Sequence, residues 1–492
     1  MYEQLRRLIR QSAAYTVATM INRAFAIMLV PLYTRFMTQA SYGDLALLLA
    51  LTAILWVAFD FGISSAVMRF YYEYDDEHAR RRYIGSMWLG MTLIAGGLSL
   101  ALTLMGWLWS DLLVDLLGAI EFWPYVVLTI WATFLNTAII IPKVLMRARN
   151  QPGLYVARVS AQSGLLLIMV IVFVVILGMG LLGAVLALFV QCALVYIFFT
   201  VYTLRNSSLP TDWPAIGRSM MFGLPVIVLE AGWWVLDTSD RFILRHYETA
   251  QIVALYSVGY ALGRLLIMVS TSIDTAWTPF FFAAAKADDA NARRVASYAA
   301  TYFTLAVSAM GLLVVVFARE AVLIFGGRPY LDAASVTPVI VLASVVQGMF
   351  YVPSRGLLLT KKTKVLPYIV VAAGAANIGL NFLLIPPFGM MGAAVATLLA
   401  YIVAVAITYG FSQHYYRIEY QALRILKVLV ILILGTAGAM LVTPEAWYFA
   451  LAWKLVILAA AGGGLWFSGF FEERELVVMR RLLKRRAPEE AA

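Results

Sequence analysis

Charge is scarce in this sequence. Only 13% of its 492 residues are Asp, Glu, Lys or Arg, about half the share of a soluble domain, which excludes a conventional water-facing surface. Cysteine is nearly absent. Cys192 stands alone inside an apolar run, so no internal disulfide is available and the redox compartment stays unread. Histidine is equally thin: His78, His246 and His414 fall in connections or at the ends of apolar runs, leaving no imidazole at membrane depth for acyl transfer. No phosphate-binding glycine loop and no zinc-ligand spacing occurs. The sequence therefore offers no catalytic set, no metal site and no cofactor site.

Long apolar runs fill the space that charge leaves. Hydrophobic residues make up 63% of the chain, and runs of about 20 residues, each able to cross ~30 Å of hydrocarbon, recur from end to end. The pattern predicts an all-α polytopic membrane protein with about fourteen transmembrane helices. Their spans fall near 13–34, 44–66, 84–109, 122–142, 157–178, 181–203, 217–238, 252–276, 296–318, 334–358, 366–386, 390–411, 423–442 and 447–470. The first run follows Arg6, Arg7 and Arg10, is longer than a signal-peptide core and shows no cleavage site, so it is expected to be retained.

Basic residues set the orientation. With the N-terminus in the cytoplasm, only Arg35, Arg241, Arg245, Arg319, Arg328 and Lys454 of the 37 Lys and Arg lie on the opposite side. That bias fits the positive-inside rule with both termini cytoplasmic. The outer connections are short and often acidic, as at Asp111, Asp115 and Glu121, and are too short to house a polymerase or transferase domain. The basic tail, Arg480 to Arg486, suits anionic lipid. The formal net charge of +10 is thus a topology signal and no argument for nucleic acid.

The chain repeats itself. Asp75-Asp76-Glu77-His78-Ala79-Arg80-Arg81 returns 213 residues later as Asp288-Asp289-Ala290-Asn291-Ala292-Arg293-Arg294, and Tyr155 after a basic loop returns at the same offset as Tyr368. Gly183-Ala184-Val185-Leu186-Ala187 then matches Gly392-Ala393-Ala394-Val395-Ala396. Six spans per copy make a parallel repeat about an axis along the membrane normal. The expected organisation is a six-helix lobe over 1–204, a second over 205–415, and two appended helices with the basic tail over 416–492.

Arg23 and Arg264 lie near the middle of the first and eighth runs. An arginine there costs about 2.5–3.5 kcal/mol, so two of them point to a shared, wet, positively charged cavity. Three runs carry polar faces at helical spacing. These are Thr16, Thr19, Arg23, Val30 and Thr34 in the first, Glu230, Trp234, Asp237 and Arg241 in the seventh, and Tyr260, Arg264, Thr271 and Asp274 in the eighth. Arg23 and Arg264 read either as substrate contacts or as ion-pair partners of Glu230, Asp237 or Asp60. Glu230 is also a candidate proton or cation site, whereas Asp60 and Asp274 read equally as solvated helix ends. Trp233, Trp234 and Tyr260 can stack on sugars or simply pack. Asn377 and Asn381, four residues apart, offer interhelical hydrogen bonds or a polar cavity wall. Pro225 in Gly223-Leu224-Pro225 predicts a kink.

Several of these pieces are similar to a known family. Tyr42-Gly43, Asp60-Phe61-Gly62 and Arg69 resemble the opening of polysaccharide flippases, the polysaccharide transporter branch of the multidrug/oligosaccharidyl-lipid/polysaccharide superfamily. Gly223-Leu224-Pro225, Asp240-Arg241, Leu255-Tyr256-Ser257 and Asn377-Ile378-Gly379-Leu380-Asn381 resemble that branch's second half. The resemblance covers roughly residues 10–415. It implies two six-helix lobes around a central cavity, and a polyprenyl-diphosphate-linked oligosaccharide moved from the cytoplasmic to the outer leaflet. Its implied partners are that glycan, membrane lipids, and polysaccharide polymerase and chain-length machinery. The last two spans depart from the twelve of many branch members and resemble the extra pair of the lipid II flippase, which makes a groove for a lipid tail.

Composition and resemblance converge on a transporter, not an enzyme. Arginine at mid-depth suits a diphosphate, because its planar fork makes paired phosphate contacts. The competing readings are a multidrug or cation antiporter of the same superfamily, whose cavity should be acidic, a glycan-assembly enzyme such as an oligosaccharide polymerase, and a non-transporting scaffold.

Overall fold

The computed structural model describes residues 20–22, 24–109, 120–208, 211–442, 447–473 and 475. Among these the chain is helical throughout, with no strand. Apolar surroundings impose that choice, since a helix satisfies every backbone N–H and C=O within one segment. Among the described residues, twelve helices are long and apolar enough to cross a membrane. They are α1 Gln39–Asp60, α2 Glu77–Leu108, α3 Phe122–Ala148, α4 Pro152–Ile176, α5 Gly180–Asn206 and α6 Trp213–Thr238. There follow α7 Ala250–Ala287, α8 Asp289–Val316, α9 Ala333–Leu359, α10 Val365–Tyr415, α11 Ala422–Leu441 and α12 Trp447–Phe467. The all-α polytopic class is therefore what the chain adopts. The count of fourteen stays an expectation. The α10 segment holds two predicted spans, 366–386 and 390–411, broken at Gly389, where φ is +54°. The predicted first span is helical over 24–36, while Thr16, Thr19 and Arg23 lie outside the described residues, as do Asp111, Asp115 and the tail from Arg480 to Arg486.

The repeated Asp-Asp motif starts a helix in both places. Asp76 caps α2 by accepting from the Ala79 N–H at 3.0 Å, and Asp288 caps α8 by accepting from the Asn291 N–H at 3.1 Å. Each carboxylate satisfies an orphan donor of the first turn. Hydroxyls inside the helices turn back on their own backbone. In α3, Thr129, Thr133 and Thr137 each donate to the carbonyl four residues earlier, at 2.7–2.8 Å. That habit removes a polar group from lipid without needing a partner helix.

The chain forms two compact units. The first runs to Tyr260 and adds Val322–Val336 and Lys364–Ala404; the second comprises Ala261–Ala321, Thr337–Thr363 and Val405–Ala492. The first unit is built around Ile63, Val67, Tyr83, Met87, Met91 and Leu145, all nearly inaccessible. A close crossing fixes it. Gly62 (φ +68°) lies against Gly223, where an added Cβ would stand 2.6 Å from the Phe61 carbonyl oxygen, so only glycine fits there. The second unit packs Leu266, Val307, Val341, Val345 and Leu432 together. Its α12 has only 6% of its apolar stretch buried, with Trp447, Phe449 and Phe467 outward. A helix apolar all round needs an apolar solvent.

Candidate functional site

In the first unit a buried polar network joins the end of α6, the short helix Asp240–Tyr247, the start of α7 and the middle of α10. Asp240 is 1% exposed. It pairs with Arg241 at 3.3 Å, accepts a hydrogen bond from the Tyr256 hydroxyl, and lies 3.5 Å from the Thr397 hydroxyl. Arg241 also donates to the Asp237 carbonyl at 3.0 Å and lies over the Tyr260 ring, 4.4 Å from its centre. Desolvated cation–ring contacts of this kind are worth about 2 kcal/mol. The Asp237 carboxylate accepts from the Tyr401 hydroxyl. Beside it, Ser239 lies 3.5 Å from the Asn377 carbonyl oxygen, which also receives the Asn381 amide at 3.0 Å. Both asparagines are fully buried, and among the described residues the Asn377 amide nitrogen and Asn381 amide oxygen have no hydrogen-bond partner.

Arg264 belongs to the second unit, and the backbone explains its place. It stands where α7 is interrupted, between the stretches Ala250–Gly263 and Leu265–Ala287, with φ −77° and ψ −7°. Its guanidinium donates to the Gln347 side chain of α9. The residue keeps right-handed helical angles, so the irregularity is a single local turn within the continuous helix Ala250–Ala287. Ten residues further on, Asp274 is 8% exposed and is gripped by Arg355 of α9 through two parallel hydrogen bonds, one of them 2.9 Å. This is the bidentate fork of a buried ion pair.

The remaining candidates fall in several places. Asp60 is no solvated helix end. It is 6% exposed and accepts from the Ser64 hydroxyl at 2.8 Å and the Ser64 N–H at 3.3 Å, while Asp274 is held by Arg355. Glu230 is exposed. The Trp234 indole N–H donates to the Ala50 carbonyl at 3.0 Å, tying α6 to α1. Arg23 lies outside the described residues. The structure thus gathers Asp237, Arg241, Tyr260, Asn377 and Asn381 in one unit, and Arg264 with Asp274 in the other. Sequence reading overlooked Arg355, Gln347 and Tyr401. Arg355 lay inside the predicted run 334–358, a charge within an apolar span that signalled it; Gln347 and Tyr401 carried no such signal.

The second unit also holds an apolar groove of about 300 Å³ among α8, α9, α10 and α11, lined by Phe303, Val352, Tyr409, Ile425, Leu426 and Leu429. In the same unit, Arg424 binds Glu475 at 2.9 Å and Glu472 at 3.2 Å. Burial works to raise the Glu475 carboxyl, but hydrogen bonds from Tyr302, the Glu472 backbone and Arg424 outweigh it and hold that group below the ordinary glutamate value.

Residues 8–285 match the sequence profile of a family described as polysaccharide biosynthesis protein. Among curated proteins, none matches the chain in sequence. Among solved structures, the lipid II flippase MurJ in an inward closed conformation aligns with a TM-score of 0.74 at 14% identity, covering 94% of this chain and 99% of that one. An inward-facing multidrug resistance MATE transporter of the MOP superfamily aligns at 0.65 and 16% identity, covering 86% and 98%. An outward-facing MATE transporter aligns at 0.56 and 15%, covering 86% and 96%. At such identities the likeness establishes a shared fold.

Proposed function

The chain belongs to the polysaccharide biosynthesis protein family of the multidrug/oligosaccharidyl-lipid/polysaccharide superfamily, and from that premise we propose that it is a flippase for polyprenyl-diphosphate-linked oligosaccharide. It carries the glycan head, an O-antigen, capsule or exopolysaccharide repeat unit, from the cytoplasmic to the outer leaflet by alternating access. It does so in a bacterial inner membrane with both termini in the cytoplasm. The observation that carries this reading is Arg264, a permanently charged fork at the irregular turn of α7, with the Gln347 side chain among its partners. Arg264 and Arg23 contact the diphosphate, while Arg241, Tyr260 and Trp234 serve the sugar side of the path. The polar wall includes Asn377 and Asn381.

The apolar groove of the second unit supports a place for the isoprenoid tail, since its lining is aliphatic and aromatic. Moving two negative charges outward along an inside-negative potential releases about 2.3 kcal/mol per charge per 100 mV. Glu230 and Asp237 are the candidates for a returning proton or cation. Polymerase and chain-length machinery receive the delivered unit.

The test is reconstitution. In proteoliposomes, a polyprenyl-diphosphate oligosaccharide placed in the inner leaflet should become accessible to an external glycosidase with time. Failure with the glycolipid, combined with uptake of a cationic dye, would replace this reading with the multidrug antiporter.

A further inference from the structure

A second arginine pair lies in the first unit, at the end that the charge pattern assigns to the cytoplasm. Phe61 and Gly62 both take left-handed backbone angles, with φ of 46° and 68°, so α1 stops and the chain restarts as Ile63–Phe70. The Gly62–Gly223 crossing then clamps that short helix against α6. Beside the clamp, the Phe70 and Phe222 rings meet edge to face at 5.4 Å. Arg69 lies over this pair, 4.9 Å from the Phe222 centre and 5.8 Å from that of Phe70. Arg218 reaches the same Phe70 ring at 5.9 Å and donates to the Tyr74 hydroxyl at 3.1 Å. Tyr74 stacks on buried Tyr83, which shares a hydrogen bond with Ser219.

Two guanidiniums are therefore posed around one aromatic floor whose parts are fixed by packing. The neighbouring basic residues are placed differently. Arg81 and Arg149 bind the Glu77 carboxylate, at 3.5 and 2.9 Å. Among the described residues, the carboxylate nearest Arg69 is that of Glu73, at 3.9 Å with both side chains more than half exposed, beyond hydrogen-bond reach. A ring neutralises no charge and takes no N–H in the guanidinium plane, so the donors stay available for an anion.

We propose that Arg69 and Arg218 form a receiving site for the diphosphate of the lipid-linked substrate, distinct from Arg264. The proposal rests on the flippase reading. The ligand chemistry is a phosphate ester with free anionic oxygens, which a diphosphate lipid and an anionic phospholipid share. Two forks around one ring favour the diphosphate, because its adjacent phosphoryl groups can occupy both at once while a phosphodiester fills one.

The test uses the full chain in phosphatidylcholine nanodiscs, with a fluorescent polyprenyl diphosphate as the probe. Arg69→Ala with Arg218→Ala should weaken its binding at least tenfold, and the double lysine variant, which keeps the charge and loses the fork, should fall between. Phosphatidylglycerol should compete poorly. Equal affinity of wild type and the double alanine variant overturns the site but leaves the flippase reading intact. Phosphatidylglycerol competing as well as the diphosphate, with the same loss in the variant, overturns the substrate assignment and makes the site a bulk-lipid contact. No saturable binding to the wild type defeats the flippase reading itself. Thermal melting of both variants shows whether either is misfolded, and the lysine variant alone then decides.

Discussion

Asp240 in the first unit and Asp274 in the second are both almost inaccessible, yet they are held in opposite ways. Asp240 is surrounded by partners close in sequence, the adjacent Arg241 and the Tyr256 hydroxyl, with Thr397 contributed by a helix that also supplies Tyr401 to Asp237. Asp274 is held chiefly by Arg355, 81 residues away, through a two-pronged contact, with the Thr278 hydroxyl adding a longer bond at 3.3 Å. The first arrangement spreads one carboxylate over an adjacent guanidinium and two hydroxyls; the second concentrates most of the contact in a single two-pronged bond. A spread network loses little when one donor goes. A concentrated pair fails as a unit, because the surviving charge is stranded in apolar surroundings.

The largest expected effect tests what lies outside both arrangements. Arg264 precedes Asp274 on the same helix and has the Gln347 side chain among its partners. Arg264→Ala should abolish delivery of the lipid-linked glycan in the reconstituted assay, with normal expression and insertion, and so should Arg23→Ala. Arg264→Lys should keep part of the activity, since the charge stays and the fork does not. Full transport by both alanine variants would return these arginines to a structural role.

Next comes the concentrated pair. Arg355→Ala should destabilise the protein by about 3–5 kcal/mol, while replacing both Asp274 and Arg355 with apolar residues of similar size should recover most of the loss. Thermal unfolding in detergent reads both. A double variant as unstable as the single one would mean that the pair is a net source of stability. Tyr256→Phe in the first unit should cost less, about 1–3 kcal/mol for the donor lost to Asp240. A larger loss there would erase the contrast between the units.

The same contrast separates what is legible in the amino-acid sequence from what is not. The helical class and the apolar spans follow from hydrophobic runs that nothing but lipid accommodates, and the repeated Asp-Asp motif marks two helix starts because capping is a local matter. Asp237, Arg241 and Tyr260 stand out because charged and aromatic residues recur at helical spacing. Arg264 stands out for its cost, whereas the irregular turn it occupies is marked in the sequence only by the preceding Gly263. The Asp274–Arg355 bond is unreadable because it depends on the register of α7 against α9. The division at Tyr260, within α7, is equally hidden, since the sequence repeat draws its boundary in the loop before α6.

The smallest effect concerns a carboxylate–arginine contact that resembles the concentrated pair but reaches the surface. Glu475 accepts two hydrogen bonds from Arg424, at 3.1 and 2.9 Å, and one from the Glu472 backbone at 2.8 Å. Its carboxyl lies below the ordinary glutamate value of about 4.3. A group depressed in the folded state contributes stability that is fully present above its unfolded value and disappears as pH falls through its folded one. At pH 7, Glu475→Gln should therefore lower the melting midpoint slightly, by the ~1 kcal/mol or less typical of partly exposed pairs. As the pH is brought down through 4, wild type and variant should converge. If the gap persists unchanged in acid, the contribution comes from packing of the turn rather than from charge, and the likeness to Asp274–Arg355 is one of geometry alone.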